Sequence, residues 1–120
     1  MAIIKESFIS RPTILFNKEH TSVGVVVSDA DYVMVSNRKI VKAGTPLAGD
    51  LENRTADFTV TTGSTAKGVL LHDVDVTHPD MRNGTLVIDG KINLDKLDPD
   101  VLAMITQDVR AALPMVKFLR

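Results

Sequence analysis

The chain contains no cysteine and no tryptophan, and among its 120 residues there are only one tyrosine and four phenylalanines. The lack of cysteine excludes disulfide bonds and thiolate metal ligands. Because aromatic residues are scarce, the core has to be built mostly from Val, Ile and Leu. Small aliphatic cores are only marginally stable, which modestly favours a protein that gains stability from neighbouring subunits or a larger surface. A self-sufficient monomer fits the composition equally well.

The sequence also lacks a long apolar run and an excess of charge of either sign. No stretch approaches the roughly 18 apolar residues of a membrane-spanning helix, and the apolar stretch at the start is too short for a secretory signal. Lys and Arg number 14 against 15 Asp and Glu, for a net charge of -1. A balanced chain has no overall attraction for nucleic acid or an anionic membrane. We therefore expect one soluble domain, made in the cytoplasm, with no nucleic-acid or membrane partner.

Short β-branched segments separated by turn residues make up most of the chain. They occur at residues 23–28, 31–36, 56–62, 68–76 and 85–94. Ser36 to Lys39 is typical of a turn, and Asp89-Gly90 indicates either a hairpin turn or a bent strand. The pattern predicts a mainly β (α+β) fold, a compact small β domain with about six to nine short strands.

One C-terminal helix is strongly indicated, from about Asp98 to Leu113. Asp98 is suited to cap the helix, Pro99 to occupy its first turn and Pro114 to end it. Apolar residues recur at helical spacing, and we expect this side of the helix to pack against the sheet: Val101, Ile105 and Val109.

The first 20 residues differ from the rest because their apolar residues follow neither a helical nor a strand period, and Arg11-Pro12 interrupts them. They also carry more apolar surface than an unpaired terminus normally exposes. We therefore divide the chain into an extended N-terminal arm, residues 1–20, and a single β-rich domain, residues 21–120, with its helix at about 98–113. An ordinary edge strand is the alternative. The candidate binding residues of the arm are Ile3, Ile4, Phe8, Ile9, Ile14 and Phe16.

Two of the three histidines lie in the stretch HDVDVTHPD, residues 72–80, which could mark a metal site. In an extended strand His72 points away from Asp73 and Asp75. A calcium-binding loop that begins at Asp73 would need glycine at its sixth position, where His78 stands. A strand followed by a turn is therefore favoured, and we expect no metal or other cofactor. A small metal-dependent hydrolase that uses His72, His78 and Asp80 stays as an alternative.

Three segments follow one another in the order GTPL (residues 44–47), AKGVLLHDVDV (66–76) and NGTLVIDGKINLDKLD (83–98). Together they resemble the head decoration and head fibre proteins of tailed bacteriophages. One pattern is similar to that of the lambda-type decoration protein. It consists of Thr-Pro-Leu and, further downstream, a strand with a small residue, Gly, an aliphatic residue and Leu. The later Asp-Gly and the terminal helix are more similar to structural proteins from phages of Gram-positive hosts.

The resemblance implies a non-enzymatic protein that binds the outer surface of the major capsid protein shell and stabilises the head. It further implies a homotrimer at local three-fold positions of the virion, with the N-terminal arm clamping neighbouring capsid subunits. A tail or baseplate adaptor is the alternative, because a small β domain without an active site suits that role as well.

Overall fold

Nine strands and two short helices make up residues 14–120, the part of the chain that the computed structural model describes. The strands are β1 (Leu15–Val27), β2 (Val33–Val35), β3 (Arg38–Val41), β4 (Pro46–Ala48), β5 (Asp57–Val60), β6 (Gly68–Leu70), β7 (Val74–Asp75), β8 (Asn83–Asn93) and β9 (Val116–Leu119). The helices are α1 (Pro99–Leu102) and α2 (Gln107–Ala112), and a 3-10 turn at Leu94–Lys96 precedes them. The predicted mainly β fold is confirmed.

Five of the strands close into a ring. β1 pairs in parallel with β5 and antiparallel with β8, while β4 joins β5 to β6 and β6 pairs with β8. Each of the five therefore has a neighbour on both sides, an arrangement that protects strand edges. β9 adds to this sheet in parallel with the last residues of β8, beyond the point where β6 has ended.

A second sheet of three strands, in the order β2-β3-β7, shares its core with the ring. Ser36 and Asn37 form the two-residue turn between β2 and β3, with positive φ angles of 50° and 65°. Positive φ at both positions is the geometry that suits the twist of a tight hairpin. A turn was predicted over Ser36 to Lys39; it forms at Ser36 and Asn37, while Arg38 and Lys39 already belong to β3.

Buried aliphatic residues form two clusters. The first surrounds Phe58, the one fully buried aromatic residue of the described chain, and includes Leu47, Leu70 and Leu86 from the ring. The second lies beneath the helical segment. It contains the three residues predicted to face the sheet, which are all buried among residues of β6 and β8: Val101, Ile105 and Val109. This part of the helix prediction is confirmed.

The prediction of a single continuous helix is wrong, because the chain forms two. α1 ends at Leu102, and a turn leads to Thr106, whose Oγ1 accepts a hydrogen bond from the backbone N–H of Val109 at 3.2 Å. The same hydroxyl donates to the carbonyl oxygen of Thr62 at 2.7 Å. A threonine in this position caps a new helix start. The segment therefore folds as two short helices that keep one buried side.

β8 runs without interruption through Asp89 and Gly90, so the single strand forms and the hairpin does not. Glycine is needed here because β1 passes close to β8. A Cβ atom added to Gly90 would lie 3.0 Å from the Cβ of His20. His20 pairs with Gly90 beside an irregularity in the β1–β8 register. Gly90 therefore allows two backbones to approach and is not needed for a turn.

Candidate functional surface

The described part of the chain begins at Ile14. This side chain is buried in the second cluster, and its carbonyl oxygen accepts a hydrogen bond from the N–H of Asn93 at 2.7 Å. Leu15 pairs with Ile92, and residues 15–20, which were assigned to the arm, lie in β1. Phe16 is 50% exposed. The remaining candidate residues lie outside the described part of the chain: Ile3, Ile4, Phe8 and Ile9.

The segment 68–76, which leads into the histidine stretch, is divided between the two sheets. β6 ends at Leu70 in the ring, and β7 begins at Val74 in the three-stranded sheet. Between them, Oδ1 of Asp73 accepts a hydrogen bond from the N–H of Ala43 at 2.7 Å. The carboxylate of Asp73 is therefore bound to the backbone of Ala43. A single strand was predicted for residues 68–76, but two short strands joined by a bend form instead.

The structure leaves the three residues of the hydrolase alternative exposed and does not bring them together. His72 lies in the bend after β6, while His78 and Asp80 lie in the turn that precedes β8. Within residues 14–120, no three His, Asp or Glu side chains are grouped so that they could hold a metal ion. The geometry of this stretch therefore gives the hydrolase alternative no support.

Asp75 holds the β2–β3 hairpin to β7. Hydrogen bonds from Thr77 and an ion pair with Arg38 lower the pKa of its carboxyl from 3.8 to about 2. The N–H of Thr77 is 2.9 Å from Oδ1 of Asp75, and Nη1 of Arg38 is 2.7 Å from Oδ2. A carboxyl that stays ionised at neutral pH is unsuited to act as a general acid. Its contacts indicate a structural role.

An open groove of about 320 Å³ lies between the hairpin and α1. Lys42 is at its side, with Nζ 2.9 Å from Oδ2 of Asp98 and 3.4 Å from Oδ2 of Asp100. The hydrogen bond with Asp98 is the main cause that raises the pKa of Lys42. The amine therefore stays protonated near neutral pH, which argues against a role as a base or nucleophile. Apolar side chains form much of the groove wall: Val33, Ile40, Val41, Val101 and Met104.

Exposed apolar side chains gather on the hairpin. Three of the seven large apolar side chains that are exposed in residues 14–120 lie here: Tyr32 (43%), Met34 (57%) and Val35 (45%). Nζ of Lys39 lies 5.1 Å from the centre of the Tyr32 ring, within range of a cation–π contact. This surface was not predicted from the sequence, although an uncharged Val-Met-Val strand beside a tight turn was a usable signal.

Neither a protein-family model nor a curated protein matches the chain. Within residues 14–120, no helix combines the length and the apolar character that crossing a lipid bilayer requires.

Proposed function

We propose that this protein is a non-enzymatic decoration protein that binds the outer surface of the major capsid protein shell of a tailed bacteriophage and stabilises the head. The main support is the position in the fold of the three segments that resemble phage head proteins. GTPL leads into β4, GVLL supplies β6, and NGTLVIDGKIN forms β8. These strands are hydrogen-bonded neighbours in the order β4-β6-β8. The strands at the centre of the three segments therefore form one contiguous unit of the sheet, while the end of the second segment supplies β7 of the other sheet.

The spacing within these segments has a physical cause in that unit. Pro46 pairs with Val69 and Leu47 with Gly68, while Val69 pairs with Val87 on the other side. A Cβ atom added to Gly68 would collide with the backbone of Val87. The glycine and the aliphatic residue that follows it are therefore required by the packing of three strands. This supports a shared architecture, from which we infer the shared role.

The charged groups of the domain also fit a structural protein better than an enzyme. Three groups within residues 14–120 have clearly shifted pKa values. Hydrogen bonds from Thr77, with the ion pair to Arg38, lower the pKa of Asp75, and hydrogen bonds with Asp98 and Asp57 raise the pKa values of Lys42 and Arg82. In each case the contacts hold the group in its ordinary ionised form. Acid–base catalysis needs the opposite, a pKa moved toward the working pH.

The proposal places the protein on the outer face of the virion as three copies around each local three-fold position, because a decoration protein must match the symmetry of the shell. The N-terminal segment is the proposed attachment element. Its apolar side chains would bind the major capsid protein, for example by adding a strand to an exposed sheet edge: Ile3, Ile4, Phe8 and Ile9.

The experiment that tests this function is co-sedimentation of the purified protein with heads and, separately, with tails of the same phage. We expect saturable binding to heads and none to tails. Binding to tails alone would establish the adaptor alternative and overturn the proposal. Binding to neither particle would also contradict it.

A further inference from the structure

The outer edge of β2 is open within the described chain. β2 pairs with β3, and β3 with β7, so in residues 14–120 no strand lies on the other side of Val33–Val35. Charged residues, proline or a bulge usually prevent an open edge from pairing with another strand. The sequence of β2 is Val-Met-Val and contains no charged residue and no proline. The edge is therefore suited to accept another strand.

The hairpin geometry fixes which backbone groups face that edge. Val35 and Arg38 flank the two-residue turn and pair with each other, and the next pair along the ladder is Met34 with Lys39. In a tight hairpin the flanking pair exchanges hydrogen bonds, and successive pairs alternate. The N–H and C=O of Met34 therefore point away from β3. A strand that adds to this edge would bond to Met34.

The two ends of β2 carry opposite charges. Asp29 and Asp31 precede the strand, and Arg38 follows its turn. When two β2 strands run antiparallel, the acidic end of each lies beside the basic end of the other, whereas a parallel arrangement would bring like charges together. The side chain of Arg38 is 61% exposed even while it binds Asp75. Its five N–H donors leave capacity for a second carboxylate.

We propose that two copies of this chain associate through their β2 edges, antiparallel and about a two-fold axis, with Met34 opposite Met34 of the partner subunit. The same residues contribute on both sides, so the contact closes and gives a dimer. It would also cover exposed apolar area of Tyr32, Met34 and Val35. The proposal concerns self-association and does not depend on the capsid role.

A single introduced cysteine tests the contact directly, because the chain has none of its own. Facing residues of a hydrogen-bonded antiparallel pair have Cα atoms about 5.5 Å apart, within the range of about 4.4–6.8 Å that a disulfide bridges. We expect Met34→Cys to form a covalent dimer under mild oxidation with diamide, as seen on a non-reducing gel. Met81→Cys is the matched control, since Met81 is 70% exposed and belongs to the turn before β8, not to β2.

The expected result is dimer formation at least ~10-fold faster for Met34→Cys than for Met81→Cys, because pairing holds the two thiols at a high effective concentration. Equal rates would overturn the proposal. Since oxidation can trap rare encounters, a second measurement uses no cross-link.

Sedimentation equilibrium of the wild-type chain from about 1 μM to about 1 mM covers the range expected for a small contact. We expect a monomer–dimer equilibrium that Met34→Lys and Met34→Pro both weaken by at least ~10-fold, while Met81→Lys leaves it unchanged. The lysine places a charge on the edge, which disfavours strand pairing. The proline removes the N–H that faces outward but leaves the pairing with β3 intact. A wild type that stays monomeric, or an assembly that persists unchanged in both Met34 variants, would contradict the proposal.

Discussion

Nη1 of Arg82 lies 2.9 Å from Oδ2 of Asp57, at the start of β5. The same nitrogen is 2.8 Å from the carbonyl oxygen of Val27, at the end of β1, and Nε is 2.9 Å from the carbonyl oxygen of Pro79. The side chain of Arg82 is only 16% exposed. One guanidinium therefore joins two strands of the ring to the loop that leads into β8, in a site largely shielded from water.

Replacing Arg82 should destabilise the domain. Arg82→Ala removes three hydrogen bonds, one of them charge-assisted, and leaves the carbonyl of Val27 without this donor. We expect the free energy of unfolding to fall by about 2–3 kcal/mol, measured by urea denaturation. Arg54→Ala is the control, because Arg54 makes one exposed hydrogen bond, to the carbonyl of Gly24, and its loss should cost less than about 0.5 kcal/mol. Equal losses for the two variants would show that the Arg82 contacts do not stabilise the ring.

A charge at position 105 should loosen or unfold the domain. Ile105 is buried between the two helices in the second core cluster. Ile105→Asp would bury an unpaired carboxylate and should lower the free energy of unfolding by at least ~3 kcal/mol. Ala103→Asp provides the control, since Ala103 is exposed in the same turn. If Ile105→Asp melts like the wild type, the helical segment does not pack as described.

The carboxyl of Asp75 should titrate well below the usual range of aspartate. Its pKa is about 2 in the folded protein and 3.8 in the absence of these contacts. Because the folded value is the lower one, the contacts stabilise the hairpin above about pH 4, and this contribution is lost as the pH falls toward 2. Carbon-13 NMR of the carboxyl group should show this midpoint.

Two variants separate the causes of that shift. Thr77→Val removes the hydroxyl bond, the largest single cause, and Arg38→Ala removes the ion pair, so each variant should raise the midpoint of Asp75 toward 3.8. A wild-type midpoint near 4 would mean that neither contact holds Asp75 as described.

Several elements follow from local sequence alone. The turn at Ser36 was predictable because the polar residues Ser36 to Lys39 separate two β-branched runs there. The buried side of the helical segment was predictable from spacing, since Val101 and Ile105 recur at the helical period and are buried. These features depend on residues close together in the chain.

The errors depend on residues far apart in the chain. The helix is interrupted at Thr106, whose hydroxyl binds the carbonyl of Thr62, and the strand after β6 bends where Asp73 binds the N–H of Ala43. Neither partner could be identified before the strands were placed. The β2 edge likewise became visible as a surface only when the sheet order was known.

Removing the proposed attachment element should separate binding from stability. Deletion of residues 2–11 stops short of the buried Ile14, so we expect the melting temperature to change by less than about 2 °C. Attachment to heads should weaken by at least ~10-fold, because the apolar side chains that would bind the shell are lost. A full-length control with Ile3, Ile4, Phe8 and Ile9 replaced by Ser should lose attachment equally. A marked drop in melting temperature would instead indicate that these residues form a strand of the domain.

The most direct test of the capsid role is cryo-electron microscopy of isolated heads with and without the added protein. We expect additional density on the outer surface, in groups of three copies around the local three-fold positions of the shell. Density at other positions or in other numbers would contradict the trimer, and a bare outer surface at saturating protein would contradict the decoration role itself.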